Sequence, residues 1–494
     1  MTNTDSVTNT DSWIASTEAE SFDIMLAEYD CVATQAHVLM LRRQKIMSDA
    51  DAAAALAALL EIEEICVAGK FRYEPGYGAQ LTLEKMIVDR TGPAIGYQVH
   101  TGRSRNDQVL TAQKLCVRAR LIRCLGQLAR VVEALVARAD ADRGVVMPGY
   151  THMQPARPTT VGQWCAAYAD MFARDLRRLR DAYERHDTSP LGAAESHGTT
   201  WPLDRVYTQE LLGFTAVDEI PLDAVSSRGE SDADFLSGLA FVALHISKLA
   251  ADLLLFNTWE YGYAVLGQGQ AARMGRLTGS SIMPQKRNPD VLELLRAQAS
   301  EIYSYALHAL DVLKGLPSGY NRDSRDTKAP ILRGLQSISG SLDQLLQVID
   351  NVEFNADAMY RAVIENYCMA TDLAEYLAQR YHVPFREMHG IVGRAVKRAI
   401  DEGRRVDEIT PSEIAEEARV AGHELDVSTA DIASGTEPRA AIERRANLGG
   451  AADVRMEAWV ADRRRTSAEQ AEWVSAEIDR IAAARARVRS LAAE

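Results

Sequence analysis

The sequence predicts an all-α protein built around a central bundle of long helices. Its composition favours helix, because aromatic residues make up only 6 % of the 494 residues and the abundant Ala, Leu, Arg and Glu lose little rotamer freedom in a helix. Apolar residues also recur at helical spacing over five long stretches. These stretches cover about 109–140, 160–186, 232–263, 288–314 and 329–352.

Helix-start signals support two of these boundaries. Thr160 and Gln163 have the spacing of a capping box, in which side chains satisfy the free backbone groups of the first turn. Asn288 is predicted to cap the fourth helix, with Pro289 in its first turn, as both residue types prefer. Helices of this length form a bundle roughly 40 Å long.

Shorter predicted helices flank the bundle on both sides. We therefore divide the chain into an N-terminal helical domain at 1–108, a central long-helix bundle at 109–353 and a C-terminal helical domain at 354–494. A lid loop at 273–289 interrupts the bundle. Because very long helices often carry apolar faces too broad for one chain to cover, we expect the protein to be an oligomer.

Charge and composition exclude several classes of function. The net charge of −14 gives no general attraction for nucleic acid, and an anionic substrate needs a local cluster of donors. The six cysteines form neither a CxxC pair nor a Cys/His cluster, so we expect neither a disulfide framework nor a metal site. The polar N-terminus and the lack of a long apolar run predict a cytoplasmic protein without membrane contact.

Three polar segments interrupt the helical pattern, each beside a long helix. The first, 100–108, places Ser104, Arg105 and Asn106 just before a helix N-terminus, where donors of this kind suit a carboxylate. An ordinary capped loop with surface charges is the alternative. The second, 148–158, holds Thr151 and His152 in a stretch with three prolines, which stiffen the backbone.

The alternative for His152 is a structural hydrogen bond. The third segment, 275–289, has glycines flanking its first part and places Lys286 before the fourth helix. That arrangement is typical of a mobile lid anchored on a helix, although an ordinary connecting loop has the same outline. A loop of this length with specific polar residues is more often functional.

These segments resemble the argininosuccinate lyase branch of the fumarase/aspartase superfamily. The matching motifs are HTGRSRNDQ (100–108), GYTHMQPARP (149–158) and GSSIMPQKRNPD (279–290), and the similarity extends over roughly residues 20–450. The resemblance implies three helical domains whose central helices join in a twenty-helix core of a homotetramer. It also implies active sites built from three subunits, and it requires no cofactor.

The implied reaction is the β-elimination of an N-substituted aspartate to fumarate and an amine. By the resemblance, Ser280 is the general base, stabilised as an alkoxide by Lys286. His152, oriented by Glu293, is the candidate for proton handling, and a place in the binding network alone is the alternative. The substrate-binding residues that the resemblance implies are Ser104, Arg105, Asn106, Thr151, Ser281, Asn288, Tyr320, Arg325 and Lys328. The donors among them are needed because one substrate carboxylate gains charge in the transition state.

The sequence departs from this family where the leaving amine is expected. An acidic Glu-Asp-Ile-His run is replaced by residues 77–80, Arg325 stands at a usual Gln, and the family's SDRD becomes SSRG at 226–229. A new Arg repels a guanidinium leaving group by roughly 1–4 kcal/mol, depending on burial. It suits an amine that carries its own carboxylate, as in ethylenediamine-N,N′-disuccinate (EDDS), or the anionic leaving group of nitrosuccinate.

Two alternatives remain beside this interpretation. If Arg325 points to solvent, the substrate is argininosuccinate and the products are arginine and fumarate. The other alternative is a non-catalytic, crystallin-like structural protein that keeps the fold. That alternative is disfavoured because Ser280, Lys286 and His152 are all present.

We expect Ser280→Ala to abolish turnover while leaving the assembly and its melting temperature nearly unchanged, because the serine is proposed to remove the proton. The measurement is fumarate release together with a thermal melt. A variant that keeps more than about a tenth of the wild-type rate has lost less than about 1.4 kcal/mol of transition-state stabilisation, and Ser280 is then not the base.

Overall fold

The computed structural model describes residues 22–72, 78–266, 278–279 and 281–494. The N-terminal part contains α1 Phe22–Arg43, α2 Asp49–Val67, α3 Ala79–Thr91, α4 Pro93–Gly96 and a 3₁₀ turn Tyr97–His100. The first half of the central part contains α5 Arg105–Ala141, β1 Val146–Thr151, β2 Gln154–Thr160, α6 Val161–His186, β3 Thr188–Ser189, α7 Arg205–Leu211, β4 Ala216–Val217 and α8 Pro221–Ser226.

The rest of the central part and the C-terminal part are also mainly helical. The former contains α9 Glu230–Phe256, β5 Ala264–Leu266, β6 Thr278–Gly279, β7 Arg287–Asn288, α10 Asp290–Leu313, a 3₁₀ segment Arg322–Thr327, α11 Lys328–Asn351 and β8 Val352–Phe354. The latter contains α12 Ala356–Glu365, α13 Ala370–Tyr381, α14 Phe385–Asp401, a 3₁₀ turn Val406–Glu408, α15 Pro411–Val420, α16 Thr429–Thr436, α17 Pro438–Arg444 and α18 Asp453–Ala493. The predicted all-α class is confirmed, and the described strands form only two-stranded ladders.

The five predicted long helices are α5, α6, α9, α10 and α11. Two of their boundaries differ from the prediction. The third helix ends at Phe256 rather than near Tyr263, because the chain turns there into β5, which pairs with β8. Asn288 does not cap the fourth helix: it pairs with Thr278 in the β6–β7 ladder, so that Pro289 takes the capping position.

Three clusters of buried apolar side chains stabilise the fold. The largest fills the bundle and includes Leu125, Phe172 and Leu239. A second joins α1, α2 and α3, and a third joins α13, α14 and α15. The long C-terminal helix α18 leaves the third cluster and packs along α5, burying Val474 in the bundle and Val488 against the N-terminal helices. The proposed domain boundaries stay a prediction.

Helix α9 is long and apolar enough, by length and composition, to cross a membrane. It contains no uninterrupted apolar run of that length, because Ser237, His245 and Lys248 interrupt the apolar residues. The fold gives the reason for its apolar composition, because α9 packs against α6, α10 and α11 inside the bundle. Leu236, Val242 and Leu249 are buried on these contacts, as expected of a core helix.

The bundle helices alternate in direction, which gives the bundle two chemically different ends. Arg185 at the end of α6 pairs with Asp234 at the start of α9 at 2.9 Å, and Trp164 at the start of α6 donates to Asp252 at 3.0 Å. Helix α11 runs parallel to α5, since Arg138 donates to the carbonyl of Val352 at 3.1 Å.

We call the end that holds the N-termini of α5, α9 and α11 the first end. The second end holds the C-termini of these helices and the N-termini of α6 and α10. The 27 residues of α9 separate the two ends by about 40 Å, at about 1.5 Å per residue.

Candidate active site

At the first end, a capping box fixes the start of α5. The Ser104 hydroxyl accepts a hydrogen bond from the backbone N–H of Asn106 at 3.3 Å, and Asp107 accepts one from the N–H of Ser104 at 2.9 Å. The other Asp107 oxygen accepts from the N–H groups of Gly192 and Ala194 at 2.8 and 3.1 Å. Burial raises the pKa of Asp107 to about 6. The carboxylate thus ties the polar segment to the 189–196 loop.

The two arginines of this segment have different environments. Arg103 is buried and donates to the hydroxyl of Thr34 at 2.9 Å, and burial lowers its pKa. Arg105 is exposed, and the side chain of Asn106 donates to the carbonyl of Glu195 at 3.1 Å. Arg105 is therefore the arginine of this segment that presents its guanidinium outward.

The segment at 320–328 lies at the same end, beside a buried carboxylate. Lys328 donates to one oxygen of Asp23, and a terminal nitrogen of Arg325 lies 3.7 Å from the other. The Arg228 guanidinium lies 5.3 Å from the centre of the Tyr320 ring. We call Arg228, Arg325 and Lys328 the cationic cluster.

Arg325 does not point freely into solvent, because its side chain is only 20 % exposed and faces Asp23. Sequence reasoning missed Asp23, which lies in the first turn of α1 and is separated from Lys328 by 305 residues. An acid in the first turn of a helix is common for reasons of the helix dipole alone. No local pattern therefore distinguished it.

A second buried acid, Asp232, lies beneath this cluster. It accepts hydrogen bonds from Gln113 at 2.5 Å and from the hydroxyl of Thr327 at 2.7 Å. Burial raises its pKa to about 7, while these two hydrogen bonds and the charge of Arg228 act in the opposite direction. The carboxyl joins α5, α9 and the 3₁₀ segment, and it carries only part of a negative charge near neutral pH.

At the second end, β1 and β2 form a hairpin whose tip carries His152. Thr151 pairs with Gln154, and the two residues between them have φ values of 53° and 58°. This is the geometry of a type I′ turn, which favours Gly, Asn and Asp. Holding His152 and Met153 in it costs roughly 1–2 kcal/mol per residue.

The hairpin tip is exposed, and both Thr151 and His152 face away from the bundle core. The His152 imidazole makes no hydrogen bond to the described part of the chain. A structural role for His152 within one subunit therefore has no contact to support it. A strained, exposed histidine on a rigid element is typical of a functional site.

The hairpin is held by polar contacts on both strands. The hydroxyls of Tyr150 and Tyr263 are 2.9 Å apart. From β2, Arg157 donates to Asp372 at 2.8 Å and to Glu375 at 2.7 Å, and Arg445 also donates to Asp372 at 2.9 Å. Helix α13 of the C-terminal part thereby fixes the strand that leads to the turn.

The lid segment lies at the second end as well. Pairing of Gly279 with Arg287 in the β6–β7 ladder closes its base, and Ser281 and Lys286 are exposed. Ser280 lies outside the described residues, as do residues 273–277. Glu293 is exposed near the start of α10, and no hydrogen bond joins it to His152 within the described chain.

The structure therefore divides the predicted site residues into two groups. Ser104, Arg105, Asn106, Tyr320, Arg325 and Lys328 lie at the first end, and Thr151, His152, Ser281, Lys286, Asn288 and Glu293 lie at the second. About 40 Å of helix separates the groups within one chain. One chain therefore does not bring the two groups of predicted site residues together.

Comparison with known proteins shows the family. A lyase family model matches residues 5–304, and the argininosuccinate lyase C-terminal model matches residues 367–443. Argininosuccinate lyase of Geobacillus kaustophilus is 38 % identical over 430 residues, which are 87 % of this chain and 90 % of that protein. That of Carboxydothermus hydrogenoformans is 39 % identical over 396 residues, covering 80 % and 85 %.

The chain belongs to the argininosuccinate lyase branch of the fumarase/aspartase superfamily. It is a fumarate-releasing carbon–nitrogen lyase. Among solved structures of related enzymes, a variant of EDDS lyase with bound fumarate superposes with a TM-score of 0.87. It is 27 % identical, and the match covers 97 % of this chain and 94 % of that one. The resemblance stated from the motifs is thus confirmed.

In this argininosuccinate lyase family member, we expect Asp372→Asn to reduce kcat/KM by at least about tenfold, equivalent to about 1.4 kcal/mol. The buried Asp372, 4 % exposed, pairs with both Arg157 and Arg445, and its neutral analogue should loosen the strand that carries His152. The measurement is steady-state fumarate release with a thermal melt. Glu375→Gln is the matched control, because Glu375 binds the same Arg157 but is 39 % exposed; equal losses in both variants contradict a specific role for Asp372.

Proposed function

We propose that this enzyme catalyses the reversible β-elimination of an N-substituted L-aspartate whose leaving amine carries an anion, with an EDDS-like aminocarboxylate as the best substrate. The observation that carries the proposal is the charge of the cationic cluster. Arg228, Arg325 and Lys328 stand against Asp23, with Asp232 only partly ionised. The net positive charge at this end favours a leaving amine in which carboxylates predominate over arginine, whose single carboxylate is outweighed by its ammonium and guanidinium groups.

In the proposed mechanism, Ser280 removes a proton from the carbon next to one carboxylate of the aspartyl group. The electron pair moves into that carboxylate, and the bond from the neighbouring carbon to nitrogen breaks. The amine leaves with a proton, and fumarate remains. Lys286 and Asn288 stabilise the carboxylate that gains charge, and His152, oriented by Glu293, handles the proton of the amine.

The remaining polar residues hold the two ends of the substrate. Ser104, Arg105 and Asn106 bind the succinyl carboxylates with Thr151 and Ser281, and the charged Arg105 can grip a carboxylate with two hydrogen bonds. Tyr320, Arg325 and Lys328 line the leaving-amine side. The succinyl side thus combines residues from both ends of the bundle, whereas the leaving-amine side uses residues of the first end alone.

We also propose a homotetramer in which different subunits complete each site. Two observations support it. The two groups of predicted site residues lie at opposite ends of the bundle, so antiparallel neighbours bring a first end against a second end. In addition, large apolar side chains on α9 and α10 are exposed in the single chain, among them Phe241, Leu307 and Leu310, and such a patch marks a protein interface.

Argininosuccinate is the second candidate substrate. It is favoured by the curated relatives at 38–39 % identity, which are argininosuccinate lyases. Asp23 adds to this case, because its carboxylate offsets part of the charge that Arg325 brings. The relatives are bacterial argininosuccinate lyases, and we propose a cytoplasmic location for this enzyme.

The shared-site proposal predicts complementation between inactive variants. His152→Asn damages the second end and Lys328→Met damages the first, so each alone should be inactive. When the two are co-assembled in equal amounts, about a quarter of the sites combine an intact His152 and an intact Lys328 from different subunits. Fumarate release should recover to about that fraction of the wild-type rate.

Light scattering should give a mass of four times 54.3 kDa. Mixing the two variants after assembly, without subunit exchange, is the control and should stay inactive. If co-assembly restores no activity, or if a monomer is active, the sites are not shared.

The substrate proposal predicts faster release of fumarate from EDDS than from argininosuccinate at matched concentration. Arg325→Gln, which restores the family residue, should raise KM for EDDS more than it lowers kcat, because a contact far from the reacting bond contributes to ground state and transition state alike. Rapid cleavage of argininosuccinate by the wild type, with no effect of Arg325→Gln, makes this enzyme an argininosuccinate lyase.

A further inference from the structure

Arg228 is a buried cation without a hydrogen-bonding partner among the residues that the structure describes. Its side chain is 4 % exposed, its Nε is buried without an acceptor, and the described part of the chain offers no acceptor to its terminal nitrogens. Burial lowers the pKa of Arg228. The terminal nitrogens are not fully buried as the Nε is, so a ligand that arrives from solvent can supply the acceptors that a largely buried guanidinium needs.

The nearby acids are already engaged. Asp23 binds Lys328 and faces Arg325, and Asp232 accepts from Gln113 and Thr327. Both therefore act on Arg228 only through space, as long-range charges.

The residues that flank Arg228 in the sequence supply no carboxylate. They are Ser227 and Gly229. Gly229 has a φ of 89°, and a Cβ there would meet the Thr327 side chain at 3.0 Å. The glycine suits this backbone conformation, and it leaves Arg228 without the carboxylate that the family's SDRD motif has at this position.

The contact between Arg228 and Tyr320 leaves the guanidinium able to bind a carboxylate. An aromatic ring at 5.3 Å covers one face of the planar group, whereas the five N–H groups point outward in its plane. The Tyr320 side chain is itself 37 % exposed, so the pair connects the buried cation to the surface of the first end. A carboxylate arriving beside Tyr320 meets a fork of donors that suits two parallel hydrogen bonds.

We propose that Arg228 is a specificity-determining residue that binds a carboxylate of the leaving amine, with the Tyr320 ring holding its guanidinium in place. This inference rests on the proposed function and deepens it, because it names the group that recognises the anion. Arg325 and Lys328 are partly neutralised by Asp23, whereas Arg228 brings its charge and its donors unpaired. Arg228 thus contributes most of the discrimination between anionic and neutral leaving amines.

The test compares two substrates with the same aspartyl end. EDDS releases an amine that bears carboxylates, whereas N-(2-aminoethyl)aspartate releases ethylenediamine, which bears none. We expect the wild type to favour EDDS by at least tenfold in kcat/KM, measured from initial rates of fumarate absorbance. Arg228→Met should reduce that preference at least tenfold, mainly by raising KM for EDDS, and Arg228→Lys should restore part of it.

Two further variants keep the test decisive. Arg444→Met removes another arginine stacked over a tyrosine, Tyr376 at 5.1 Å in the C-terminal part, and should leave the preference unchanged. If Arg228→Met does not fold, Ser227→Asp replaces it: this variant keeps Arg228 but gives it a carboxylate in the chain. It should lower the preference for EDDS in the same direction.

The outcomes separate this inference from the proposed function. A wild type that cleaves EDDS and N-(2-aminoethyl)aspartate alike overturns the proposed anionic leaving group and this inference with it. A wild type that prefers EDDS, with the preference intact in Arg228→Met or in Ser227→Asp, overturns the role of Arg228 alone. Loss of the preference for EDDS in Arg228→Met, with that preference unchanged in Arg444→Met, supports the role of Arg228.

Discussion

The stiffness of the long helices is the constraint on which this site depends. A helix of 27 residues cannot bend far enough to bring its two ends together, so α9 keeps the start of α5 and the lid about 40 Å apart,. One chain therefore cannot bring the two groups of predicted site residues together. In the proposed tetramer, the surface that covers the exposed apolar side chains of the bundle is also the surface that completes the site.

The helices and the three polar segments were predictable from the sequence because their signals are local. Amphipathic spacing identified the bundle, and residue type at helix starts identified Ser104, Lys286 and their neighbours. The missing features depend on contacts between distant parts of the chain. The sequence around Asp23 does not indicate that Lys328 and Arg325 lie beside it, and the sequence around Arg228 does not indicate that its guanidinium is buried. The prediction that Asn288 caps the fourth helix was wrong because Asn288 pairs with Thr278 in the β6–β7 ladder.

The leaving-amine side illustrates how one substitution changes meaning in three dimensions. Read along the chain, Arg325 adds a full positive charge to a pocket. In the fold, the Asp23 carboxylate lies beside both Arg325 and Lys328. It therefore offsets part of the positive charge of Arg325. The unbalanced cation is Arg228, whose neighbours in the sequence are a serine and a glycine, and the acids around it are held by other donors.

The turn that carries His152 has a consequence for how such an enzyme changes under selection. Two residues in left-handed backbone conformations, His152 and Met153, occupy positions where Asn-Gly would be relaxed. Substitutions toward that pair would make the folded chain more stable while removing the imidazole. Under the proposed role of His152, selection for thermal tolerance and selection for turnover therefore act in opposite directions at this hairpin.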